Sequence, residues 1–250
     1  MRTSALIVAM CGLSLLAPAY AARERPSLMA LPRLMLWAWE RPVDLRGLDA
    51  DVGVAFLAQT ITIAGDQVDR APRRQPLRVS PAARLLAVTR IETSPSHTLD
   101  VSASHLNEIV LAIVRTVHLP GVRGVQIDFD ARRSERAFYG ELLRRLRLTL
   151  EPATPLSITA LASWCADDDW LEELPIDEAV PMLFRMGPMA QRLRAAGAAG
   201  HLRAAACRGA LGISLDEPLA PDTSGKRLYV FNAGPWTDAS IAEARREVTR

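Results

Sequence analysis

Eight runs of strand-like apolar sequence recur along this chain, and they constrain its fold more than any other feature. Each run is separated from the next by polar or helix-forming sequence. The runs are residues 34–39, 52–62, 85–89, 124–129, 156–161, 180–184, 209–215 and 228–232. Strands that alternate with helices are typical of a parallel sheet, because parallel neighbours need a long crossover connection.

Helix-forming sequence fills several of the connections. Residues 104–118 carry apolar side chains at helical spacing, with Ser102 as the predicted N-cap. Residues 134–150 have an apolar face opposite a face rich in arginine. Further helical segments are predicted at 168–174, 190–207 and 237–250.

The pattern predicts an α/β fold, a compact (β/α)8 TIM-like barrel in which some helices are short or missing. Without its first 21 residues, the chain falls slightly below the ~250 residues that are usual for a barrel. An open doubly wound sheet is the alternative. That fold usually has a glycine-rich turn after its first strand, whereas the first run here leads into Glu40-Arg41-Pro42.

Residues 1–21 have the organisation of a secretory signal peptide. Arg2 precedes an apolar run at 5–17, and Ala19-Tyr20-Ala21 fits the cleavage rule of small residues. Cys11 allows a lipoprotein as the alternative, although bulky Met10 stands where a small residue is wanted. We therefore expect a periplasmic or secreted protein in which residues 22–250 form a single barrel domain.

The fourth run ends in two carboxylates, Asp128 and Asp130, which lie two residues apart. Because side chains alternate along a strand, both should point to one face. A helix-forming segment follows, so the acids would lie at the rim of a barrel, where chemistry is usually placed. Paired carboxylates are what the cleavage of a glycosidic bond needs. In a second interpretation they cap the next helix or pair with Arg132 and Arg133.

Polar and aromatic residues follow most of the other runs. These strand-end residues are Trp37, Trp39, Glu40, Arg90, Glu92, Gln126, Ser163, Trp164, Met182, Phe184, Arg185, Asp216, Glu217, Asn232 and Trp236. Aromatic faces bind the apolar side of a sugar ring, while polar groups bind its hydroxyls. Each residue also has a structural interpretation: the tryptophans as core, Glu40 as a salt-bridged loop residue, and Arg185 as a counter-ion.

The motif Gly124-Val125-Gln126-Ile127-Asp128-Phe129-Asp130 resembles the fourth-strand motif of family-18 chitinase-like barrels. In that family the final acid is a glutamate that protonates the leaving group. The resemblance implies that Asp130 takes the acid position and Asp128 the position before it, while Gln126 replaces the first aspartate. Met182-Leu183-Phe184-Arg185 resembles the sixth-strand motif of the family, without its tyrosine and aspartate.

The whole chain after residue 21 is more similar to an uncharacterised bacterial family, domain of unknown function 3142. The segments that carry this resemblance are the tryptophan-rich first run, Gln-Ile-Asp-Phe-Asp-Ala, Leu-Ser-Ile-Thr-Ala-Leu-Ala-Ser-Trp, Val-Pro-Met-Leu-Phe-Arg-Met-Gly and Gly-Ile-Ser-Leu-Asp-Glu-Pro. The resemblance implies a glycosidase-like barrel and no established activity.

Composition narrows the range of partners. The formal net charge is +2 and no basic stripe is interleaved with aromatic residues, so nucleic acid is not an expected partner. No Cys/His cluster has the spacing of metal ligands, and no cofactor is implied. Cys165 and Cys207 could pair, but the sequence does not show whether their Cα atoms are close enough. We expect a monomer that binds a glycan or oligosaccharide, with no membrane association beyond the cleaved signal.

Three hypotheses follow for the function. The first is a glycoside hydrolase with Asp130 as general acid and Asp128 as its electrostatic partner, the nucleophile or base being Asp216, Glu217 or Glu40. The second is a non-catalytic glycan-binding barrel. The third is a structural or partner-binding envelope protein, whose strand-end residues form a closed ion-pair network without a pocket. We also expect three tryptophans to line one cleft with the carboxylates: Trp39, Trp164 and Trp236.

Overall fold

The computed structural model describes residues 28–198, 202–217 and 223–248. The predicted signal peptide, residues 1–21, lies outside the described residues. In chain order, the strands are β1 (Leu34–Ala38), β2 (Val43–Leu45), β3 (Val52–Ala64), β4 (Gln67–Pro72), β5 (Leu77–Val79), β6 (Leu85–Thr93), β7 (Val122–Asp128), β8 (Leu156–Leu161), β9 (Glu178–Met182), β10 (Ala210–Ser214) and β11 (Arg227–Phe231). The α-helices are α1 (Ala103–Arg115), α2 (Arg136–Thr149), α3 (Ala162–Asp167), α4 (Ala190–Ala198) and α5 (Asp238–Val248).

Eight parallel strands close into a barrel. Their order is β1-β3-β6-β7-β8-β9-β10-β11, and β1 pairs in parallel with both β3 and β11. This closure excludes the open sheet and confirms the predicted (β/α)8 TIM-like fold. All eight predicted strand runs correspond to barrel strands, with their bounds shifted by a few residues.

The barrel strands are buried on both faces, which explains their almost continuous apolar sequence. In β1, Met35 and Trp37 belong to the inner cluster that fills the barrel, whereas Leu34 and Leu36 pack outside it. In β7 the outer side chains, such as Ile127, pack against helices α1 and α2. The inner positions of β7 are therefore free to carry polar side chains.

The first two crossovers contain no α-helix among the described residues. β4 extends the barrel as an antiparallel hairpin with β3, and β2 pairs in parallel with β5. The proline-containing segment 70–78 is therefore a loop only in its middle, because β4 reaches Pro72 and β5 covers Leu77–Val79. The side chains of β4 are almost all exposed, so this edge strand shows no apolar alternation.

Helix α3 begins directly after β8, whereas the predicted helix at 168–174 is only a 3-10 turn, Trp170–Glu173. Ser102 caps α1 as predicted, since its hydroxyl accepts a hydrogen bond from the His105 amide at 3.2 Å. Cys165 of α3 forms a disulfide with Cys207, and their Cα atoms are 5.9 Å apart. The disulfide links α3 to the segment that leads into β10.

A buried ionic network closes the lower end of the barrel. Glu178, at the start of β9, is 1% exposed and forms an ion pair with Arg227. The same carboxylate accepts hydrogen bonds from the Tyr229 hydroxyl at 2.7 Å and from the Ser157 hydroxyl at 3.3 Å. Arg227 also donates to backbone carbonyls of the entering chain at Leu28 and Pro32. Both charges are therefore fully compensated inside the barrel.

We expect the Arg227→Met substitution to lower the free energy of unfolding by about 3–5 kcal/mol, because it leaves the Glu178 carboxylate buried without a cation. Urea denaturation at pH 7 measures the change. The control is Arg192→Met, which removes an exposed pair with Asp167 and should cost less than about 1 kcal/mol. Equal effects of the two substitutions would contradict this account of the barrel floor.

Candidate functional site

A cleft of about 610 Å³ opens at the carboxyl ends of the barrel strands. This is the end at which TIM barrels carry their active sites. Its lining residues are Trp39, Arg41, Leu57, Thr60, Arg90, Glu92, Asp128, Asp130, Leu161, Met182, Phe184, Arg185 and Phe231. The predicted residues Trp39, Arg90, Asp128, Asp130 and Arg185 thus meet in one place.

Asp128 is the buried carboxylate of the cleft, with 3% of its surface exposed. It accepts a hydrogen bond from Arg90 Nη1 at 2.8 Å and another from the Thr159 hydroxyl at 2.8 Å. Arg90 also bonds Glu92 through Nε at 2.9 Å. One guanidinium therefore holds two carboxylates, one on its own strand and one on the neighbouring strand.

Asp130 lies two residues after the end of β7 and lines the same cleft. Among the described residues, its carboxylate forms no hydrogen bond or ion pair, in contrast to Asp128. Partial burial raises the pKa of Asp130, the negative charge of Asp128 raises it further, and Arg90 opposes both effects. Asp130 is therefore the cleft carboxyl that is best suited to hold a proton.

Aromatic rings line the wall of the cleft at β1 and β11. Trp39 meets Phe231 edge-on, with ring centroids 6.2 Å apart, and Phe231 stacks on Phe184 at 5.6 Å. The Arg90 guanidinium lies 5.8 Å from the centre of the Trp39 ring. Trp37 contacts Trp39 from the barrel interior, so both tryptophans point inward as the strand pattern predicts.

Five predicted substrate-binding residues lie outside the cleft lining: Gln126, Glu40, Trp164, Asn232 and Trp236. Gln126 is fully buried below the cleft, where its amide donates to the Ser157 hydroxyl at 3.0 Å. Glu40 is exposed on the rim and accepts hydrogen bonds from the backbone amides of Arg74 and Gln75, at 2.9 and 3.0 Å. Glu40 therefore orders the loop between β4 and β5.

The loop after β10 holds two predicted carboxylates outside the cleft lining. Glu217 accepts a hydrogen bond from the Arg185 amide at 2.9 Å and another from Arg194 Nη2 at 2.6 Å. Asp216 is exposed, and the Ser214 hydroxyl that donates to it lowers its pKa, with a smaller effect from Arg185. Asn232 stabilises its own turn, because it donates to the Pro235 carbonyl at 3.0 Å.

The prediction that three tryptophans line one cleft is wrong, because only Trp39 reaches it. Trp164 is 5% exposed and packs edge-on against Trp170, with centroids 5.1 Å apart. Its helix α3 starts directly after β8 and turns the side chain away from the barrel axis. Trp236 donates to the Trp37 carbonyl at 2.8 Å and packs on the outer cluster.

The closed network of the third hypothesis does not form among the described residues. That hypothesis predicts a network of Gln126, Asp128, Arg90 and Arg185. Arg90 and Asp128 do pair, but Gln126 bonds Ser157, and the Arg185 side chain forms no ion pair with a described carboxylate. A cleft lies above them. The strand-end residues therefore leave both a cavity and unpaired groups for a ligand.

Sequence reasoning missed part of the lining. Phe231 is the last residue of β11, and its inward direction follows from that of Tyr229 two residues earlier. Thr60 of β3 lines the cleft, and Thr159 of β8 bonds Asp128, but both lie inside their strands and carry neither a charge nor a large ring. Glu92 was placed at a strand end but assigned no role.

No group of three or more His, Cys, Asp or Glu side chains in the described ranges is arranged to hold a metal ion. Among the helices of the described chain, none combines the length and the apolar character needed to cross a bilayer.

Comparison with solved structures finds a crystal structure of a family GH18 chitinase from Chromobacterium violaceum. The two chains share 12% sequence identity at a TM-score of 0.47, over 86% of this chain and 72% of that chain. No family model matches the sequence, and no curated protein matches it. Membership of the domain-of-unknown-function family 3142 stays a prediction, and the barrel assignment rests on the closed strand order.

We expect Asp130→Asn to raise the free energy of unfolding at pH 7 and to leave it almost unchanged at pH 3. The folded-state pKa of Asp130 is raised, so its ionised form destabilises the fold at pH values above that pKa, and its protonated form does not. Urea denaturation at the two pH values measures this. The control is Asp66→Asn in the exposed β3–β4 turn, which should change little. A loss of stability at pH 7 would contradict the repulsion between Asp128 and Asp130.

Proposed function

We propose that the protein is an exported glycoside hydrolase of barrel fold, with Asp130 as its general acid. The observation that carries the proposal is the contrast between the two aspartates at the end of β7, Asp128 and Asp130. Asp128 is buried and held by two donors, whereas Asp130 faces the cleft with a raised pKa and no bonding partner among the described residues. Neighbouring carboxyl groups whose environments differ in this way are typical of acid catalysis on glycosidic bonds.

In the proposed reaction, Asp130 donates its proton to the glycosidic oxygen as the bond to the anomeric carbon breaks. The positive charge that develops on the sugar is stabilised by the carboxylate of Asp128, which Arg90 and Thr159 hold in place. Glu92 is a third carboxylate on the cleft, and we assign it the role of base that activates water. The three carboxylates that the sequence suggests for this role, Asp216, Glu217 and Glu40, lie outside the cleft lining.

Sugar binding in this proposal uses the aromatic wall. Trp39, Phe184 and Phe231 supply aromatic surface to the cleft lining, which also holds the carboxylates. A pyranose ring has an apolar face that packs on such rings, while its hydroxyls bond the polar groups opposite. The cleft volume of about 610 Å³ lies within the range of ordinary ligand pockets.

The test is a hydrolysis screen with fragments of peptidoglycan, chitin and bacterial exopolysaccharide. For a substrate that turns over, Asp130→Asn should lower kcat by about 100- to 10,000-fold, the usual contribution of a general acid. Aryl glycosides with an activated leaving group need little protonation, so the same variant should lose much less on them. Asp66→Asn is the matched control and should keep full activity.

Turnover of natural fragments that survives Asp130→Asn would exclude Asp130 as the acid. A loss that is equal for activated and natural substrates would also contradict this role, because it would indicate lost binding or folding. The Asp130→Glu variant restores the carboxyl group with one more methylene, so partial recovery is expected if protonation is the step that was lost.

A non-catalytic glycan-binding barrel is the second candidate function. The observation that favours it is that two of the three cleft carboxylates, Asp128 and Glu92, are held in ion pairs with Arg90. If the protein only binds glycans, the fragments of the hydrolysis screen should bind to it without turnover. Trp39→Ala then weakens binding by about 1–3 kcal/mol, and Asp130→Asn leaves binding almost unchanged.

Export is part of the proposal and rests on two features. Residues 1–21 have the pattern of a signal peptide, and the Cys165–Cys207 disulfide is typical of oxidising compartments. When the full chain is produced in a bacterium, we expect a mature N-terminus at Ala22 in the periplasmic or secreted fraction. A substitution of Ala19 and Ala21 by bulky residues should block processing. Full-length protein that stays in the cytoplasm would contradict export.

A further inference from the structure

Opposite walls of the cleft carry opposite charge. Asp128 and Asp130 lie at the end of β7, and Glu92 lies on the adjacent strand β6. In the closed order of eight strands, β11 is four positions from β7 in either direction and therefore directly opposite. The side chains of Arg41 and Arg185 contact the chain at this opposite end.

Both arginines are anchored around the end of β11. The guanidinium carbon of Arg185 lies 5.1 Å from the centre of the Phe231 ring. Arg41 donates through Nη1 to the carbonyls of Ala233 and Gly234, both at 2.7 Å. These contacts hold the two guanidinium groups at the cleft lining without neutralising their charge.

Neither guanidinium has a carboxylate partner in the described part of the chain. Arg90, by comparison, bonds both Asp128 and Glu92. Exposed Asp216 interacts with Arg185 electrostatically without an ion pair, and its carboxylate is bonded by the Ser214 hydroxyl. The arginine wall therefore presents positive charge that is in no ion pair among the described residues, and the Arg185 N–H donors suit a planar carboxylate in two-point contact.

The backbone of Arg185 is held in a conformation that few residues with a side chain adopt, with φ at +54°. The Arg185 amide donates to Glu217, and Glu217 is fixed in turn by Arg194. Strain of this kind persists when the surroundings impose it, and it is concentrated at binding and catalytic sites. Here the surroundings direct an arginine side chain over Phe231 at the edge of the cleft.

We propose that the cleft is selective for an acidic glycan, and that Arg185, supported by Arg41, binds the carboxylate of a uronic-acid-type sugar. This inference rests on the proposed function, since it places the glycosidic oxygen at the Asp130 wall and the sugar carboxylate at the β11 wall. Arg185 is thus a residue that determines specificity and takes no part in proton transfer.

The test uses tetrasaccharides from hyaluronan, alginate and polygalacturonate, each beside its carboxyl-reduced, neutral counterpart. Calorimetric titration is done on the mature protein that carries Asp130→Asn, so that no probe is consumed. For at least one pair, the acidic form should bind about tenfold or more tightly than the reduced form. Arg185→Gln should remove this difference by weakening only the acidic form, and Arg185→Lys should restore part of it.

The matched control is Arg133→Gln, an exposed arginine outside the cleft lining, which should keep the selectivity. Equal affinity for acidic and reduced probes would overturn the inference and leave the glycan function standing, and so would selectivity that survives Arg185→Gln. If neither form of any probe binds, and the hydrolysis screen also finds no substrate, both proposals fail. Thermal melts of each variant show whether a change in affinity reflects unfolding.

Discussion

The bond network of Arg90 is the constraint on which the upper end of the barrel depends. Its guanidinium joins Asp128 on β7 to Glu92 on β6, and Thr159 on β8 supplies the second donor to Asp128. Three neighbouring strands are thereby tied at their carboxyl ends around one buried charge. Partial burial raises the pKa of Asp130, two residues beyond Asp128, and the fixed negative charge of Asp128 raises it further.

The two ends of the barrel use ionic groups differently. At the lower end, the Glu178 carboxylate is fully satisfied by Arg227, Tyr229 and Ser157. This ionic network closes the interior of the barrel. At the upper end, Asp130 and Arg185 lie on the cleft with no carboxylate–guanidinium pairing to each other or to other described residues. A fold can tolerate such unpaired charges only where solvent or a ligand reaches them. Their position at the carboxyl ends of the strands agrees with the usual position of the active site in a barrel.

The sequence predicted the barrel because its strands are buried on both faces, which produces apolar runs that no loop shares. The edge strand β4 was not predicted, because its side chains are exposed and only its backbone is paired, so its sequence has no apolar pattern. In the site, Asp128 and Asp130 could be predicted because strand alternation continues from a well-marked run. Trp164 could not, since the start of α3 right after Leu161 turns the chain away from the axis. The direction of a side chain is thus predictable only as far as the strand continues.

The most direct test of the account is the carboxyl titration of Asp130, followed by carbon-13 NMR in wild type and in Asp128→Asn. The account predicts a pKa above the ordinary aspartate value of 3.8 in wild type. It also predicts a decrease when Asp128 becomes neutral, because the repulsion that favours the protonated form is removed. A wild-type pKa at or below 3.8, or no decrease in the Asp128→Asn variant, would contradict the coupling of the two aspartates and with it the role of Asp130 as an acid.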